Sequence, residues 1–299
     1  PFGAFVKICG EEGEGNKEPW NFLAKPIWQR MLIILGGVVS FWIIAVIILS
    51  FVSALWGIPT GVDDDEEYDA LNPNIIISEV LKDSPAQKAG IEMGDSIRIM
   101  KFENNEISVN KVKQVQDFSA SHKGKEITLI LDRGEKNLQT SLVLSSSSAP
   151  MGVGLTRVIF IRSPWYKAPI EGVVVTKKLT IGAINGWIQI FSSLIKTKEL
   201  PPGAEIVGPV GITHLFYKMS KLGVNYILMF ISQVAIFLAL TNLLPIPALD
   251  GGKMLFLTIE AIKGKAVDSR LEQKITTVCF VLLICLLVVA TIKDIIRIF

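Results

Sequence analysis

Three long apolar runs punctuate the chain, and the segments between them follow shorter periods. Trp28 to Trp56 carries no charge after Arg30, and about 20 apolar residues are enough to cross a bilayer as a helix. Val224 to Leu244 is a second such run, carrying the polar residues Asn225, Gln233 and Asn242. Ile275 to Ile292 is a third and shorter one. Each predicts a transmembrane helix. A fourth apolar stretch, Leu179 to Ile195, is interrupted by Gly, Asn, Gln and Ser, and predicts an amphipathic helix lying at the interface.

Between the first two runs the pattern is that of a small α/β domain. "NIIISEVL" from Asn74 predicts a strand. In "DSPAQKAG", Ser84 is placed to cap a short helix, Pro85 to open it and Gly90 to end it. "DSIRIMKF" predicts another strand, closed by a turn at "ENNE". "VNKVKQVQDFSASH" sets Val112, Val115 and Phe118 on one helical face. "EITLILDRGEKNLQTSLVL" reads as two strands around the turn "RGEKN".

Composition agrees with a mixture of spans and a water-facing domain. The 299 residues are 50% hydrophobic and 19% charged, with a mean hydropathy of +0.46. The fold class predicted is a polytopic α-helical membrane protein with three spans and an inserted extracytoplasmic α/β domain. A net charge of +2 gives no footprint for nucleic acid. Cys9, Cys279 and Cys285 show neither a paired framework nor metal-ligand spacing. Lys25 and Arg30 precede the first span and "DDDEE" follows it, while the link between the second and third spans is rich in Lys and Arg. Positive flanks stay cytoplasmic, so the segment from about Gly57 to Leu222 is expected outside. Lys293 and Arg297 run against this orientation and are outweighed.

"TNLLPIPALDGG", Thr241 to Gly252, poses the chemical question. Asp250 can open a helix as its cap, its carboxylate satisfying free N–H groups. An acid at membrane depth is also costly, and such residues mark functional sites by default. Pro245 and Pro247 remove backbone donors in front of it, and broken helix at that depth is tolerated only inside protein or along a wet cavity. Together these features point to a polar pocket within the bilayer.

Two resemblances follow. "SPAQKAGIEMGDSI" resembles a PDZ domain in its circularly permuted bacterial arrangement. The resemblance implies a loop at Met151, Gly152, Val153, Gly154 and Leu155 that receives a peptide C-terminus, with Leu155 to Ile159 as the pairing strand. A Gly-rich turn before an ordinary strand is the plainer alternative. "NLLPIPALDGG", with "GPVGI" (Gly208 to Ile212) upstream, "DIIR" (Asp294 to Arg297) at the end and "PFGAFVKICGEE" at the start, resembles the site-2 proteases, bacterial zinc metalloproteases of regulated intramembrane proteolysis. That likeness implies a Zn2+ held by two His and one Asp, with the His pair and a Glu general base on an HExxH span. Bound zinc lowers the pKa of water to about 7 and polarises the scissile carbonyl. Asp250 matches the metal-binding Asp, and Asn242 the Asn associated with the substrate backbone or transition state. Gly3, Ala4, Phe5 and Val6 fall where the family's membrane hairpin would pair with an unwound substrate helix; interface anchoring by Phe2 and Phe5 is the alternative.

The expected organisation is a re-entrant hairpin over 1–24, a span over 25–58, the PDZ-like domain over 70–160, and interfacial helices over 161–222. A span with the Asp250 motif follows over 223–262, and a last span over 270–299. The chain departs from the family in its histidines. It has only His122, expected in a solvated loop, and His214, and neither lies in an HExxH. With no initial Met, it is expected to lack an N-terminal HExxH span and to be catalytically incomplete as given. The expected protein is an inner-membrane endopeptidase for single-span substrates such as anti-sigma factors or signal-peptide remnants, its PDZ groove open to peptide C-termini. The alternatives are a non-catalytic PDZ membrane adaptor or pseudoprotease and, more remotely, an ion-coupled transporter using Asp250.

Overall fold

The computed structural model describes residues 22–66, 73–199, 201, 207–265 and 267–298. The expected hairpin residues Gly3, Ala4, Phe5 and Val6 lie outside the described residues. The chain forms two compact units, one of residues 1–47, 173–213 and 231–299, the other of residues 48–172 and 214–230.

Among the described residues, three helices are long and apolar enough to cross a membrane. α1 (Ile27–Leu55) and α6 (Val224–Asn242) realise the first two runs, and α8 (Ser269–Ile298) the third. α4 (Ala168–Lys196) is a single helix that begins well before the apolar stretch at Leu179. In the first unit Leu179, Ala183 and Trp187 of α4 pack on Ala45 of α1 and on Ala235, Ile236 and Leu240 of α6. α5 (Pro209–Leu222) and α7 (Asp250–Lys263) complete the long elements.

α7 is clamped to α1. Met254 and Leu257 meet Ile27, Met31 and Ile34 in one apolar cluster. Just beyond, the Arg30 guanidinium donates to both Glu260 oxygens, at 3.2 and 2.6 Å. Its Nε donates to the Lys25 carbonyl at 3.1 Å.

The second unit is built on a curled antiparallel sheet of order β1-β7-β2-β3-β5-β6, with β4 beside β3. The strands are β1 (Ile58–Gly61), β2 (Asn74–Val80), β3 (Ser96–Phe102), β4 (Asn105–Ser108), β5 (Glu126–Arg133), β6 (Lys136–Val143) and β7 (Val153–Ile161). α2 (Pro85–Lys88) follows β2 and α3 (Val112–Ser121) follows β4, which is the PDZ-like order. Ser84 caps α2 as expected, accepting from the Gln87 N–H at 3.2 Å. Alternate residues of β2 and β5 (Ile75, Ile77, Ile127, Leu129, Leu131) face a core closed by Val115 and Phe118 of α3.

Three local expectations are corrected. The sheet starts before residue 70, because Ile58–Gly61 pairs with Val158–Ile161. "ENNE" is not all turn: Asn105 and Glu106 already belong to β4, and Glu103 takes the left-handed corner at φ 52°. His122 is not a solvated loop residue. It ends α3 with its ring 4.5 Å from that of Phe102 and 4.3 Å from that of Phe118.

Candidate membrane-embedded site at Asp250 and the sheet-domain groove

α6 ends at Asn242, and the chain then turns on itself before α7. Leu244 N–H donates to the Thr241 carbonyl at 3.1 Å, Ile246 N–H to Leu244 at 2.7 Å, and Leu249 N–H to Ile246 at 2.8 Å. Pro245 and Pro247 have no N–H to leave unpaired in so tight a turn. Thr276 of α8 holds the turn from outside, its hydroxyl donating to the Pro247 carbonyl at 3.2 Å.

Both glycines after Asp250 are required by this turn. A Cβ at Gly251 would fall on the carbonyl oxygens of Leu243 and Leu244, and one at Gly252 on the backbone of Ile246 and Pro247. The first turn of α7 therefore lies directly against the chain that leaves α6. This brings Asn242 and Asp250 to the two ends of one compact turn.

Asp250 is not the helix cap. Leu249 holds that position, with φ −114° and ψ 169° and no side-chain cap bond, and Asp250 is the first residue of α7. Its carboxylate is half-buried and takes no hydrogen bond or ion pair from any described residue. The helix end still favours a negative charge there, yet the carboxylate oxygens remain available to a ligand. Asn242 is half-buried as well, at the last position of α6.

A catalytic zinc needs three protein ligands, and among the described residues no three His, Cys, Asp or Glu side chains gather closely enough to hold a metal. Of the two histidines, His122 is engaged with aromatic rings and the Phe118 carbonyl, 2.8 Å from its Nδ1. His214 lies within α5. The described residues offer one ligand, Asp250, and do not fit a zinc site by themselves.

The upstream and downstream motifs meet. Asp294, 3% exposed on α8, accepts the Gly211 N–H at 2.6 Å in the first turn of α5. A Cβ at Gly208 would lie 2.9 Å from the Ala290 backbone, and one at Gly211 2.8 Å from an Asp294 oxygen. "GPVGI" and "DIIR" are thus two halves of one helix-docking joint, a relation that pattern reading did not reveal.

In the sheet domain, Met151 is buried and Gly152 takes φ 72°. A Cβ on Gly152 would strike the Ser84 side chain, and one on Gly154 would sit 2.8 Å from Ser78 Oγ, so the plainer packing reading accounts for both glycines. Val153 opens β7, with β2 along one edge as far as Val158. On the other edge β1 covers Val158–Ile161, and Val62 N–H donates to the Arg157 carbonyl at 3.0 Å. The expected pairing strand Leu155 to Ile159 is therefore half taken by the chain itself. Val153–Thr156 has no second strand partner among the described residues. Asp64 closes the upstream end by accepting the Val112 and Lys113 N–H groups of α3, at 3.0 and 2.8 Å. The buried Arg157 donates to the carbonyls of Asp63, Glu66 and Asn110.

The model of Peptidase family M50 matches residues 1–286. A Clostridium perfringens protein, named provisionally as a zinc metalloprotease, is 30% identical over 99% of this chain and 82% of its own length. The regulator of sigma-W protease RasP of Bacillus subtilis is 27% identical over 99% of this chain, which spans 66% of that protein. Among solved structures, the PDZ domain of the SdrC-like protein of Listeria monocytogenes is 23% identical, covering 27% of this chain and 85% of that one with a TM-score of 0.24. The domain is defined by its own sheet order, β1-β7-β2-β3-β5-β6.

Proposed function

Because the chain belongs to peptidase family M50, we propose that it is the body of an intramembrane zinc endopeptidase that cuts single-span membrane proteins, anti-sigma factors or signal-peptide remnants among them. The observation that carries this reading is the Asp250 carboxylate. It is held at the first position of α7 by a proline turn and two obligatory glycines, with no protein partner among the described residues. An acid kept unpaired at a span end is costly unless something binds it.

In this reading Asp250 supplies one of three zinc ligands. The His pair and the Glu base of an HExxH motif are not in this sequence, so the proposal concerns the full-length protein and treats this chain as catalytically incomplete. Asn242 offers an amide that can both donate to and accept from an unwound substrate backbone, in the manner of strand pairing. Gly3, Ala4, Phe5 and Val6 are proposed as the edge on which the substrate backbone is laid. The sheet domain is placed outside the bacterial inner membrane, with Met151, Gly152, Val153, Gly154 and Leu155 at the end of a groove for a peptide C-terminus. The open Val153–Thr156 edge beside α3 supports that role.

A non-catalytic PDZ membrane adaptor is the second reading, favoured by the presence of only two histidines. Full-length protein reconstituted in liposomes with a single-span reporter separates the two. Cleavage that a chelator stops, with about one zinc per chain, supports the peptidase. Neither cleavage nor bound zinc supports the adaptor.

A further inference from the structure

The open edge of β7 is bounded at both ends, and the bounds set what it can pair with. On the opposite edge β2 follows Val153 to Val158, and the Leu81 N–H meets the Gly152 carbonyl at 2.9 Å. Hydrogen-bonded positions recur every second residue along an antiparallel strand. Gly154 and Thr156 therefore turn their backbone groups to β2, while Val153, Leu155 and Arg157 turn theirs outward. The Val62 N–H agrees with that parity, since it reaches the Arg157 carbonyl from outside. Among the described residues, Val153 and Leu155 are left open, on an edge where β1 is already an antiparallel partner.

The upstream end is shut by a strap, residues 62–66. Arg157, 1% exposed, holds it by donating to the Asp63 and Glu66 carbonyls, at 2.8 and 2.9 Å. Asp64 fastens it to the first turn of α3. The carboxylates of Asp63, Asp65 and Glu66 belong to exposed residues there. At the other end the Ala86 N–H holds the Met151 carbonyl at 3.1 Å, and Gly152 lies tight against Ser84. Between the two ends Val153, Leu155 and Val112 of α3 are only partly buried against the core, which gives the groove apolar walls.

We propose, building on the peptide groove of the sheet domain, that this groove reads only about the last four residues of a protein chain, with an apolar residue at the end and a basic one fourth from it. A tail laid antiparallel on β7 continues the line of β1 and points its C-terminus toward Met151. Its last residue falls opposite Val153 and its third-last opposite Leu155. The fifth-last would need Arg157, whose carbonyl Val62 has taken. Charge complementarity sets the fourth-last position: the tail leaves beside the three strap carboxylates, which attract Lys or Arg and repel Asp or Glu.

Fluorescence anisotropy on the full chain in detergent tests this with two labelled peptides. One is Lys-Ala-Ala-Val and the other carries four further alanines ahead of it. Wild type should bind both within about twofold of each other, because added residues find no further pairing. Glu in place of Lys should weaken binding about fivefold, the weight of an exposed ion pair. A C-terminal amide should weaken it about tenfold or more through lost charge-assisted hydrogen bonds. Asp65→Lys with Glu66→Lys should invert the preference between Lys and Glu tails. If the extended tail binds about fivefold tighter than the short one, the length limit is overturned while the groove stands. Equal binding of the amide, or no binding of any tail, would remove groove and limit together. A charge preference unchanged by the double substitution would overturn the role given to the strap.

Discussion

Asp294 accepts the Gly211 amide at 2.6 Å across 83 residues of sequence. The carboxylate is nearly fully buried and sits at the N-terminal end of α5, where the helix presents free donors and positive potential. Asp294→Ala strips that acceptor and leaves a buried N–H unmatched, which costs about 1–3 kcal/mol. Asp294→Asn keeps a carbonyl oxygen in the same place and should cost less. Thermal unfolding of the full chain in detergent should rank the three as wild type, Asn, then Ala. An Ala variant as stable as wild type would remove the joint from the account.

The turn before α7 leaves no room for a methyl group. Gly251→Ala places a Cβ on two carbonyl oxygens, and Gly252→Ala one on the Ile246–Pro247 backbone. Overpacking of this kind costs about 1–3 kcal/mol. Because relief requires α7 and the turn to part, cleavage by the full-length protein should fall further than stability does. Gly264→Ala is the control for stability alone: its Cβ meets open space, although its φ of 67° carries some strain. Activity assayed beside unfolding separates displacement of Asp250 from general damage.

Arg30 and Glu260 form a two-pronged pair with side chains only 10% and 19% exposed. Removing one partner of such a pair strands a charge and costs about 3–5 kcal/mol. Glu260→Gln and Arg30→Gln should each destabilise strongly, while Arg30→Gln with Glu260→Gln together should recover part of the loss. A double-mutant cycle with no coupling would show that the fork contributes nothing.

In the sheet domain Arg133 donates to both oxygens of the buried Asp95, at 2.6 and 2.7 Å, and to Glu92 at 2.9 Å. The hydrogen bond to Asp95, foremost, holds the guanidinium pKa above its ordinary value. A raised cation contributes stability that is complete below its unfolded pKa and lost only as pH rises through the folded one. Both lie above the neutral and mildly alkaline range, so Arg133 should give no pH dependence there. Arg133→Lys, which keeps charge but not the fork, should lower the unfolding temperature across that whole range. A loss confined to alkaline pH would contradict the assignment.

Much of the architecture was legible in local pattern. Spans announce themselves by length and the absence of charge, and Ser84, Pro85 and Gly90 delimit α2 without help from the rest of the chain. β1 was not legible, because "IPTG" holds a Pro and a Gly and becomes a strand only by pairing with Val158–Ile161. The start of α7 was ambiguous for a related reason: Asp at a helix start suits the cap, yet the turn packed against Gly251 and Gly252 makes Leu249 the cap and Asp250 the first helical residue. Asn242 and Asp250 stand close in sequence, so their sharing of one turn could be foreseen. The Asp294 joint could not, since nothing local to "DIIR" says which amide it meets.

Asp250 bears most of the functional weight, and Asp250→Asn tests it most directly. The amide preserves shape but gives up the anionic ligand, and no protein hydrogen bond of this side chain is at stake among the described residues. Full-length protein carrying the substitution should keep its unfolding temperature and its place in the membrane, while cleavage of a single-span reporter in liposomes falls to background. Cleavage at the wild-type rate by a folded Asp250→Asn protein would contradict the account.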